Sequence, residues 1–496
     1  MVNSGSGSSG NVVSLPVKPS PTFDRAYAYR TLAILSLTSA LIIYIDTMLT
    51  PALPTIAREY GVSIAQTSLL ISLYTVFGVA VMPIIGKLGD IYGKKRVMVI
   101  TLMIYLAVAT TTSFAPSFNL ILVSRFFQGV GLGVIPLSYS IAREQFPRDM
   151  VPRAQGLISA VQLSGSASGI VVGAVFTLDY GWQSNYHLAV PCILALTVLA
   201  IFLVRESTSR KPGVRLDYVG AAWLGASLTA MVLGLSEGAA WGWTSAPILG
   251  MVIGGSALIV PLALYEGRQV EPVFDLKLLR QRNVMVSNII TLLFGISTGI
   301  AFQALSYYFQ LPAPSGFGLN TVQTGLYLLP LAVFILPVAY GVGVVIPRFG
   351  VKPFLYIGFL LAVSGFLLLS TSTSPEEVTA YLCVYAVGGG FLSVSLQNLL
   401  VLSLEKSEMG LGTSLNTAFR YIGQSIGAPI AGAILSTFVL AYTVEGHLMV
   451  LPARAAFQYC FYVAALAFIM AGVTAVLAHE VMGRRTSLKD PNPAPR

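Results

Sequence analysis

Long apolar runs recur along nearly the whole chain, and short polar stretches separate them. Each run holds around 20 residues, the length that a helix needs to cross about 30 Å of hydrocarbon. A backbone surrounded by lipid must satisfy its own hydrogen bonds, so such runs fold as helices. The pattern therefore predicts an all-α integral membrane protein.

Fourteen runs are recognised, and we label them span 1 to span 14 in chain order. The first six lie at 32–56, 67–85, 97–114, 120–141, 156–178 and 186–204. Spans 7 and 8 follow at 218–235 and 247–265. The last six lie at 284–310, 322–346, 353–369, 378–404, 413–442 and 455–478. The predicted fold is thus two six-helix bundles with a two-helix insertion between them.

Predicted domain boundaries follow from this grouping. They are a flexible cytoplasmic tail at 1–30, a six-helix bundle at 31–205, linkers with two inserted helices at 206–282, a second six-helix bundle at 283–479 and a cytoplasmic tail at 480–496.

Basic residues mark every second loop. The loops after spans 2, 4, 6, 8, 10, 12 and 14 carry almost all of them, whereas the intervening loops hold only Arg58 and Arg454. Cytoplasmic loops of membrane proteins carry an excess of Lys and Arg. We therefore expect both termini in the cytoplasm, which requires an even number of spans, in a multi-pass protein of the cell membrane.

Composition agrees with a membrane protein and excludes other classes. Of 496 residues, 55% are hydrophobic and 10% charged, with a mean hydropathy of +0.77, whereas soluble domains are about 25% charged. The net charge of +9 lies in short loops, so we expect topology and not nucleic-acid binding to explain it. Three isolated cysteines and no clustered histidines predict no metal site. Without a GxxxxGK[ST] loop or a catalytic domain, we expect no cofactor and no enzyme activity.

The two six-span groups share an internal repeat. Gly86 to Arg96 after span 2 aligns with Gly343 to Lys352 after span 10, with the glycines in register. Span 5 carries glycines at 165, 169 and 173, and span 13 carries Gly423, Gly427 and Ala431 at the same spacing. Small residues every four positions let helices approach closely. Two parallel, pseudo-symmetric halves predict an alternating-access transporter with its site between them.

Three motifs carry a family resemblance. The run Gly86-Lys-Leu-Gly-Asp90-Ile-Tyr-Gly93-Lys94-Lys95-Arg96 resembles the loop 2-3 motif of the major facilitator superfamily. Ser124-Arg125-Phe-Phe-Gln128-Gly129-Val-Gly131 resembles its helix 4 motif, and Tyr44-Ile-Asp46-Thr47 with Pro51 to Pro54 is similar to the helix 1 motif of its fourteen-helix drug:proton antiporters. The resemblance covers all but the tails.

The helix 5 motif of that family matches in part. Gly156, Gly165, Gly169 and Gly173 have the expected spacing, but Ile170 stands where the family has proline and Ala174 where it has a final glycine. This motif is the one associated with antiport. The resemblance implies proton-coupled multidrug efflux by a monomer, with Asp46 as the coupling acid and Asp90 as a latch at the cytoplasmic gate, where Lys94, Lys95 and Arg96 follow it.

Asp46 and Arg125 are also unusual by position alone. Asp46 lies about eight residues from the outer end of span 1, or some 12 Å deep, and Arg125 lies at a similar depth of about 9 Å in span 4. A charge at such depth needs a partner, water or a proton. We predict that the two side chains meet beside the substrate cavity, against the alternative of purely structural hydrogen bonds within the helix bundle.

Further polar residues inside the spans are candidates for the cavity lining. Asn416, Arg420 and Gln424 recur at fourfold spacing on span 13, so they share one face that must avoid lipid. Arg420 either binds helix carbonyls and water or contacts an anionic group. The other candidates, each of which could instead make an interhelical hydrogen bond, are Gln128, Gln162, Gln303, Tyr307, Gln397 and Asn398.

Several functions remain compatible with these patterns. The leading one is an exporter of lipophilic, in part cationic, small molecules, driven by inward proton movement. A symporter or uniporter of one metabolite is the alternative within transport, and a membrane sensor that transports nothing is the alternative outside it.

Overall fold

The computed structural model describes residues 25–147, 150–207, 217–269, 276–404, 409–444 and 447–480. The predicted tail at 1–24, the end of the chain from 481 and parts of the linkers at 208–216 and 270–275 lie outside the described residues. Residues 25–30, assigned to the tail from the sequence, are helical and open span 1.

The first six spans are long helices, two of which are interrupted. Span 1 is Arg25–Thr47, a 3₁₀ turn at Thr50–Ala52 and a helix at Leu53–Tyr60; span 4 is Phe118–Gln128, a 3₁₀ segment at Gly129–Gly133 and a helix at Val134–Gln145. The uninterrupted helices are Ile64–Tyr92 (span 2), Lys94–Ser113 (span 3), Val151–Tyr180 (span 5) and Gln183–Leu203 (span 6).

The remaining spans are helical as well. Span 7 is Tyr218–Trp241, and span 8 runs through Ala246–Leu249, a π-helical turn at Gly250–Gly254, Gly255–Ala257 and Ile259–Glu266. A short helix, Leu276–Leu279, precedes span 9. Spans 9 to 14 are Arg282–Gln310, Thr321–Leu328 with Pro330–Phe349, Lys352–Leu369, Pro375–Val401, Met409–Thr437 and Arg454–Val476.

Thirteen helical runs among the described residues are long and apolar enough to cross a membrane. The prediction of an all-α membrane fold is therefore confirmed. The helix Met409–Thr437 at span 13 is long enough at 29 residues, but its polar residues leave it outside that set of thirteen. The exact count of fourteen crossings stays a prediction.

The predicted end of span 13 is wrong. The helix stops at Thr437, and β1 (Val439–Val444) and β2 (His447–Pro452) form an antiparallel hairpin in which Val439 lies opposite Pro452. A 29-residue helix already extends about 43 Å, more than the hydrocarbon thickness. The residues that follow are rich in Val, Thr and Tyr, which favour strands. Apolar composition therefore continues past the point where the helix ends.

Glycines bring span 5 against span 1, and span 13 against span 9. A side chain at Gly169 would collide with the backbone of Tyr44 and the hydroxyl of Thr47, and one at Gly165 with the backbone of Ala40. Likewise, a side chain at Gly423 or Gly427 would collide with the backbone of span 9. The repeated spacing seen in the sequence thus coincides with close helix packing in both six-span groups.

Hydrogen bonds join the two six-span groups at one end, which we call the sealed end. From span 9, Ser306 Oγ donates to the Thr50 carbonyl at 2.5 Å and Gln310 Nε2 to the Pro51 carbonyl at 2.7 Å. Gly432 of span 13 packs on Ala65 of span 2. These contacts lie near the loop between spans 1 and 2, opposite the ends that carry the basic loops.

Span 7 packs against both groups. Its Ser236 hydroxyl donates to the Ala65 carbonyl of span 2 at 2.6 Å, and Trp243, in the turn that follows, donates to the Thr437 hydroxyl of span 13 at 3.2 Å. The inserted pair therefore lies on the outside of the seam between the groups. This position is compatible with the prediction that the pair is peripheral to the transport path.

Candidate functional site

Asp46 and Arg125 meet inside the first six-span group. Arg125 Nη2 lies 3.8 Å from Asp46 Oδ1, and the two residues are 0% and 9% exposed, Arg125 being the fully buried one. A separation of 3.8 Å is an ion pair without a hydrogen bond. The carboxylate of Asp46 therefore keeps the capacity to accept a hydrogen bond from a proton-bearing or cationic group.

Arg125 is held in place by several neighbours. Its Nε donates to the Leu70 carbonyl at 3.0 Å, its Nη1 donates to Gln128 Oε1 at 3.0 Å, and the guanidinium lies 4.5 Å from the centre of the Tyr74 ring. Such a fork of donors with several acceptors fixes the guanidinium in one orientation. Arg125 is therefore a rigid partner for Asp46.

Gln128 links this arginine to two further spans. Its Nε2 donates to the Thr112 hydroxyl of span 3 at 2.6 Å, and its Oε1 accepts from the Tyr186 hydroxyl of span 6 at 3.3 Å. The amide is completely buried. Gln128, predicted to line the cavity, thus lies within the polar network around Arg125.

Glycines explain why span 4 can carry this network. Right after Gln128, the chain tightens into the 3₁₀ segment Gly129–Gly133. A side chain at Gly129 would collide with the Tyr74 carbonyl, and one at Gly131 with the ring of Tyr105. Because these glycines carry no side chain, spans 2 and 3 approach span 4 closely enough for Arg125 to reach the Leu70 carbonyl.

The loop 2-3 motif forms a charged cluster at the end opposite the seal. Lys94 Nζ lies 2.9 Å from Glu144 Oε2 and 3.7 Å from Asp90 Oδ1. Gly93 has a φ of 105°, and a side chain there would collide with the carboxylate of Glu206. That carboxylate accepts from the backbone N–H groups of Lys95 and Arg96, at 3.1 Å each. Gly86 faces open space.

The second six-span group contains a matching arrangement. The carboxylate of Glu480, after span 14, accepts from the backbone N–H groups of Val351 and Lys352 at 2.9 and 3.1 Å. In each group, therefore, a carboxylate that follows the sixth span caps the first turn of the third span of the same group. An acid at a helix N-terminus accepts hydrogen bonds from the free N–H groups there and interacts favourably with the positive end of the helix dipole.

The three polar residues of span 13 differ in their surroundings. Asn416 is buried, and its Nδ2 donates to Asn288 Oδ1 at 3.1 Å and to the Thr291 hydroxyl at 3.0 Å, both on span 9. Gln424 is half-buried. Arg420 is exposed, its guanidinium lies 5.3 Å from the centre of the Tyr421 ring, and its charge acts on Asp46 and Tyr139 of the other group. Arg420 therefore faces the space between the groups.

Two predicted cavity residues form hydrogen bonds at the sealed end. Gln303 Nε2 donates to the Ile64 carbonyl at 3.1 Å, and the Tyr307 hydroxyl lies 2.6 Å from that of Thr67. Both side chains are buried. They therefore join spans 9 and 2 where the two groups meet.

The last three cavity candidates lie apart from one another. Gln162 of span 5 accepts from the Tyr139 hydroxyl at 3.5 Å, and its buried Nε2 has no hydrogen-bond partner among the described residues. Gln397 is exposed, and Asn398 Nδ2 donates to the Val394 carbonyl of its own helix at 2.9 Å. Only Gln162 thus adjoins the space that Arg420 faces.

The helix 5 motif contacts span 10 of the second group. A side chain at Gly325 would meet Ala174 and the Ile170 carbonyl, and Ile170 itself is buried. Gly173 packs on Met48 of span 1, whereas Gly156 faces open space. The two positions that depart from the family motif therefore lie where span 5 meets the other half.

Sequence reasoning missed the aromatic and hydroxyl neighbours of this site. Tyr74, Thr112 and Tyr186 surround Arg125 and Gln128, and Tyr139 lies on the path from Arg420 to Gln162. Tyr and Thr are common in apolar helices, so composition does not single them out.

An apolar groove of about 740 Å³ lies elsewhere, between spans 2, 4 and 7. Phe77, Phe126 and Leu233 are among its lining residues. None of the predicted polar site residues lines it, so it is separate from the site around Asp46 and Arg420. Among the described residues, no group of three His, Cys, Asp or Glu is placed to hold a metal ion.

Known proteins resemble this chain over most of its length. An uncharacterized MFS-type transporter of Mycobacterium tuberculosis is 29% identical over 79% of this chain and 57% of its own length, so the chain spans little more than half of that relative. The multidrug transporter protein MdtP of Bacillus subtilis is 25% identical over 82% of this chain and 76% of its own. The tetracenomycin C resistance and export protein of Streptomyces glaucescens is 23% identical over 79% and 73%.

Comparison of folds and families gives the same assignment. A bacterial homologue of the human lysosomal transporter Spinster, solved in an inward-facing and unoccupied conformation, superposes with a TM-score of 0.65 at 14% identity, over 92% of this chain and 96% of its own. That likeness concerns the fold. The sequence matches the Major Facilitator Superfamily over residues 35–428 and 342–496. The chain is therefore a multi-pass membrane protein that belongs to the Major Facilitator Superfamily.

Proposed function

We propose that the chain is a proton-coupled exporter of lipophilic small molecules, of the fourteen-helix drug:proton antiporter type, that works by alternating access. The observation that carries this proposal is the Asp46–Arg125 pair, which lies deep in the bundle at 3.8 Å and has a carboxylate with spare hydrogen-bonding capacity. An ionisable pair inside the membrane is costly and marks a functional site. Relatives named as multidrug and tetracenomycin C exporters support export as the direction.

Coupling follows from competition at Asp46. A proton or a cationic group of the substrate can occupy the carboxylate, but each weakens the binding of the other. Arg125 holds the carboxylate in place, and the charge of Arg420 acts on it from the other half. A change in the distance between the halves therefore changes the field at Asp46. Inward movement of the proton can in this way drive outward movement of the substrate.

The alternating step rests on the two ends of the molecule. The sealed end is held by hydrogen bonds from span 9 to the turn after span 1, and the Asp90–Lys94–Glu144 cluster lies at the other end. We assign the sealed end to the outside, since the basic loops lie opposite. In this scheme both termini are cytoplasmic, and Asp90 engages the second half when the inner end closes.

The test is transport by purified protein in liposomes with a pH difference as the only energy source. Lipophilic dyes of positive, neutral and negative charge serve as substrates. We expect at least one dye to be concentrated against its gradient. Asp46→Asn, which mimics the protonated acid, should abolish this accumulation and the proton release that accompanies binding of a cationic dye.

Glu376→Gln is the matched control, because Glu376 is an exposed acid at the start of span 12 that accepts from the Tyr327 hydroxyl at 3.0 Å. It should transport as the wild type does. Proton-driven accumulation and proton release that persist in Asp46→Asn would contradict the coupling role of Asp46.

Symport or uniport is the second candidate, favoured by Ile170 and Ala174 in the helix 5 motif. Both residues lie against Gly325 of span 10, so they affect the contact between the halves. Reversing the imposed pH difference separates the candidates. An antiporter accumulates dye on the acidic side, a symporter on the alkaline side, and a uniporter on neither.

A further inference from the structure

Arg420 is a charged residue in the middle of a membrane helix. It lies eleven positions after Met409 in the helix Met409–Thr437, about 16 Å along the axis. A guanidinium at that depth is tolerated only where it faces a partner or a water-filled cavity. Its side chain is exposed and lies within electrostatic range of Asp46 and Tyr139 of the opposite half. It therefore projects into the space between the halves.

The charge of Arg420 has no counter-ion among the described residues. None of the salt bridges in the described part of the chain involves it, and Asp46 already lies 3.8 Å from Arg125. The other acids that the structure describes lie in loops or toward helix ends. In contrast to Arg125, whose Nε and Nη1 donate to protein acceptors, Arg420 presents a positive charge to whatever enters the cavity.

Other donors lie within electrostatic range of Arg420, on the opposite half. The Tyr139 hydroxyl is 2.7 Å from Ser159 Oγ and 3.5 Å from Gln162 Oε1, and Gln162 Nε2 is buried without a hydrogen-bond partner among the described residues. Tyr421, next to Arg420, is buried, and the centre of its ring lies 5.3 Å from the guanidinium. Guanidinium, hydroxyl and amide groups together are the donors that bind carboxylates.

We propose that Arg420 binds the acidic group of an amphoteric substrate, a lipophilic aromatic molecule that carries both a carboxylate and an amine. This inference rests on the proposed function, in which a cationic group competes with the proton at Asp46. The site is then bipolar, with its negative pole on the first half and its positive pole on the second. A substrate with both charges contacts both halves at once.

A matched pair of dyes tests the positive pole. Rhodamine 19 carries a carboxylate and a cationic xanthene, whereas rhodamine 6G is its ethyl ester and lacks the carboxylate. We expect purified wild-type protein in nanodiscs to bind rhodamine 19 about tenfold more tightly, the effect of one charge-assisted interaction. Arg420→Gln should remove this preference by weakening only rhodamine 19, and Arg420→Lys should retain part of it.

Arg348→Gln is the control, since Arg348 is an exposed arginine at the end of span 10 and the same charge is removed. It should leave both affinities unchanged. Equal affinity of the wild type for the two dyes, or equal weakening of both by Arg420→Gln, would overturn the proposal. Binding needs no pH gradient, so an Arg420-dependent preference without proton-driven transport would contradict the proposed function alone.

A second measurement does not depend on either dye. A single cysteine placed at Ser159 in a cysteine-free background is labelled with an anionic sulfonate and a cationic ammonium methanethiosulfonate. A positive pole should favour the anionic reagent, and Arg420→Gln should lower the ratio of the two rates about threefold or more at low salt. A ratio that Arg420→Gln leaves unchanged would show that the cavity lacks this pole.

Discussion

Each half of the molecule has an arginine within a membrane-spanning helix. The two arginines differ in their exposure and in their hydrogen-bond partners. Arg125 is 0% exposed and bonded to the Leu70 carbonyl and Gln128. Arg420 is exposed, with the Tyr421 ring as its neighbour. The first half thus holds a closed polar core, whereas the second half presents a charge to the cavity. The same residue type therefore stabilises one half and is available for ligands in the other.

The largest expected effect is on the free energy of unfolding, which should respond differently to substitution of the two arginines. Arg125→Gln should lower the free energy of unfolding by about 3 to 5 kcal/mol, because it leaves Asp46 and the Leu70 carbonyl without their buried partner. Arg420→Gln should change it by less than about 0.5 kcal/mol, as an exposed side chain does. Reversible unfolding in detergent mixtures measures both. Similar losses in the two variants would show that Arg420 is part of the packed structure.

Helix contacts inside the first half give the next effect. Gly169→Val should cost about 1 to 3 kcal/mol, because the new side chain meets the backbone of Tyr44 and the hydroxyl of Thr47 and forces spans 1 and 5 apart. Gly156→Val, on the same helix but facing open space, is the control for helix propensity. The same unfolding measurement compares them, and equal stability of the two variants would mean that spans 1 and 5 do not pack closely.

The charged cluster opposite the sealed end is expected to affect the transport rate. Asp90→Ala should reduce the transport rate about tenfold, equivalent to about 1.4 kcal/mol in the barrier, while dye affinity stays unchanged. Asp90 is partly exposed and lies 3.7 Å from Lys94, far from the Asp46 site. Binding and transport are measured on the same preparation. Transport at the wild-type rate would contradict the gating role.

The smallest effect concerns the second half. Asn416→Leu should cost about 1 kcal/mol, since hydrogen bonds between membrane helices contribute about 0.6 to 1.7 kcal/mol and Asn416 bonds to Asn288 and Thr291. Gln397→Leu is the control, because Gln397 is exposed. Thermal unfolding followed by thiol labelling of the buried Cys460 reports both. A loss from Gln397→Leu as large as that from Asn416→Leu would contradict this assignment.

Much of the fold could be predicted because lipid imposes a simple rule on sequence. A continuous apolar run of about 20 residues satisfies its backbone hydrogen bonds in hydrocarbon by forming a helix, so apolar length located the spans. The rule failed after Thr437, where apolar residues continue beyond the length that a membrane requires and form β1 and β2. Apolar composition does not distinguish a helix from a hairpin once the constraint of lipid ends.

The site was predictable in part for a similar reason. Asp46, Arg125 and Arg420 stand out in any apolar run, because a charge in the membrane is costly wherever it occurs. Their partners do not stand out. Gln128 and Gln162 look alike in the sequence, yet one is enclosed around Arg125 and the other adjoins the cavity.

The sequence by itself determined that this chain is a helical membrane protein, which charged residues lie inside its spans and where glycines recur. Those properties depend on residue type and on spacing along the chain. The tertiary structure alone decided that Arg125 is enclosed while Arg420 is open, that Gln303 and Tyr307 belong to the seal, and that Ile170 meets span 10. Which side chains are exposed, and which residues they contact, depends on how helices distant in sequence pack. No local sequence pattern encodes that packing.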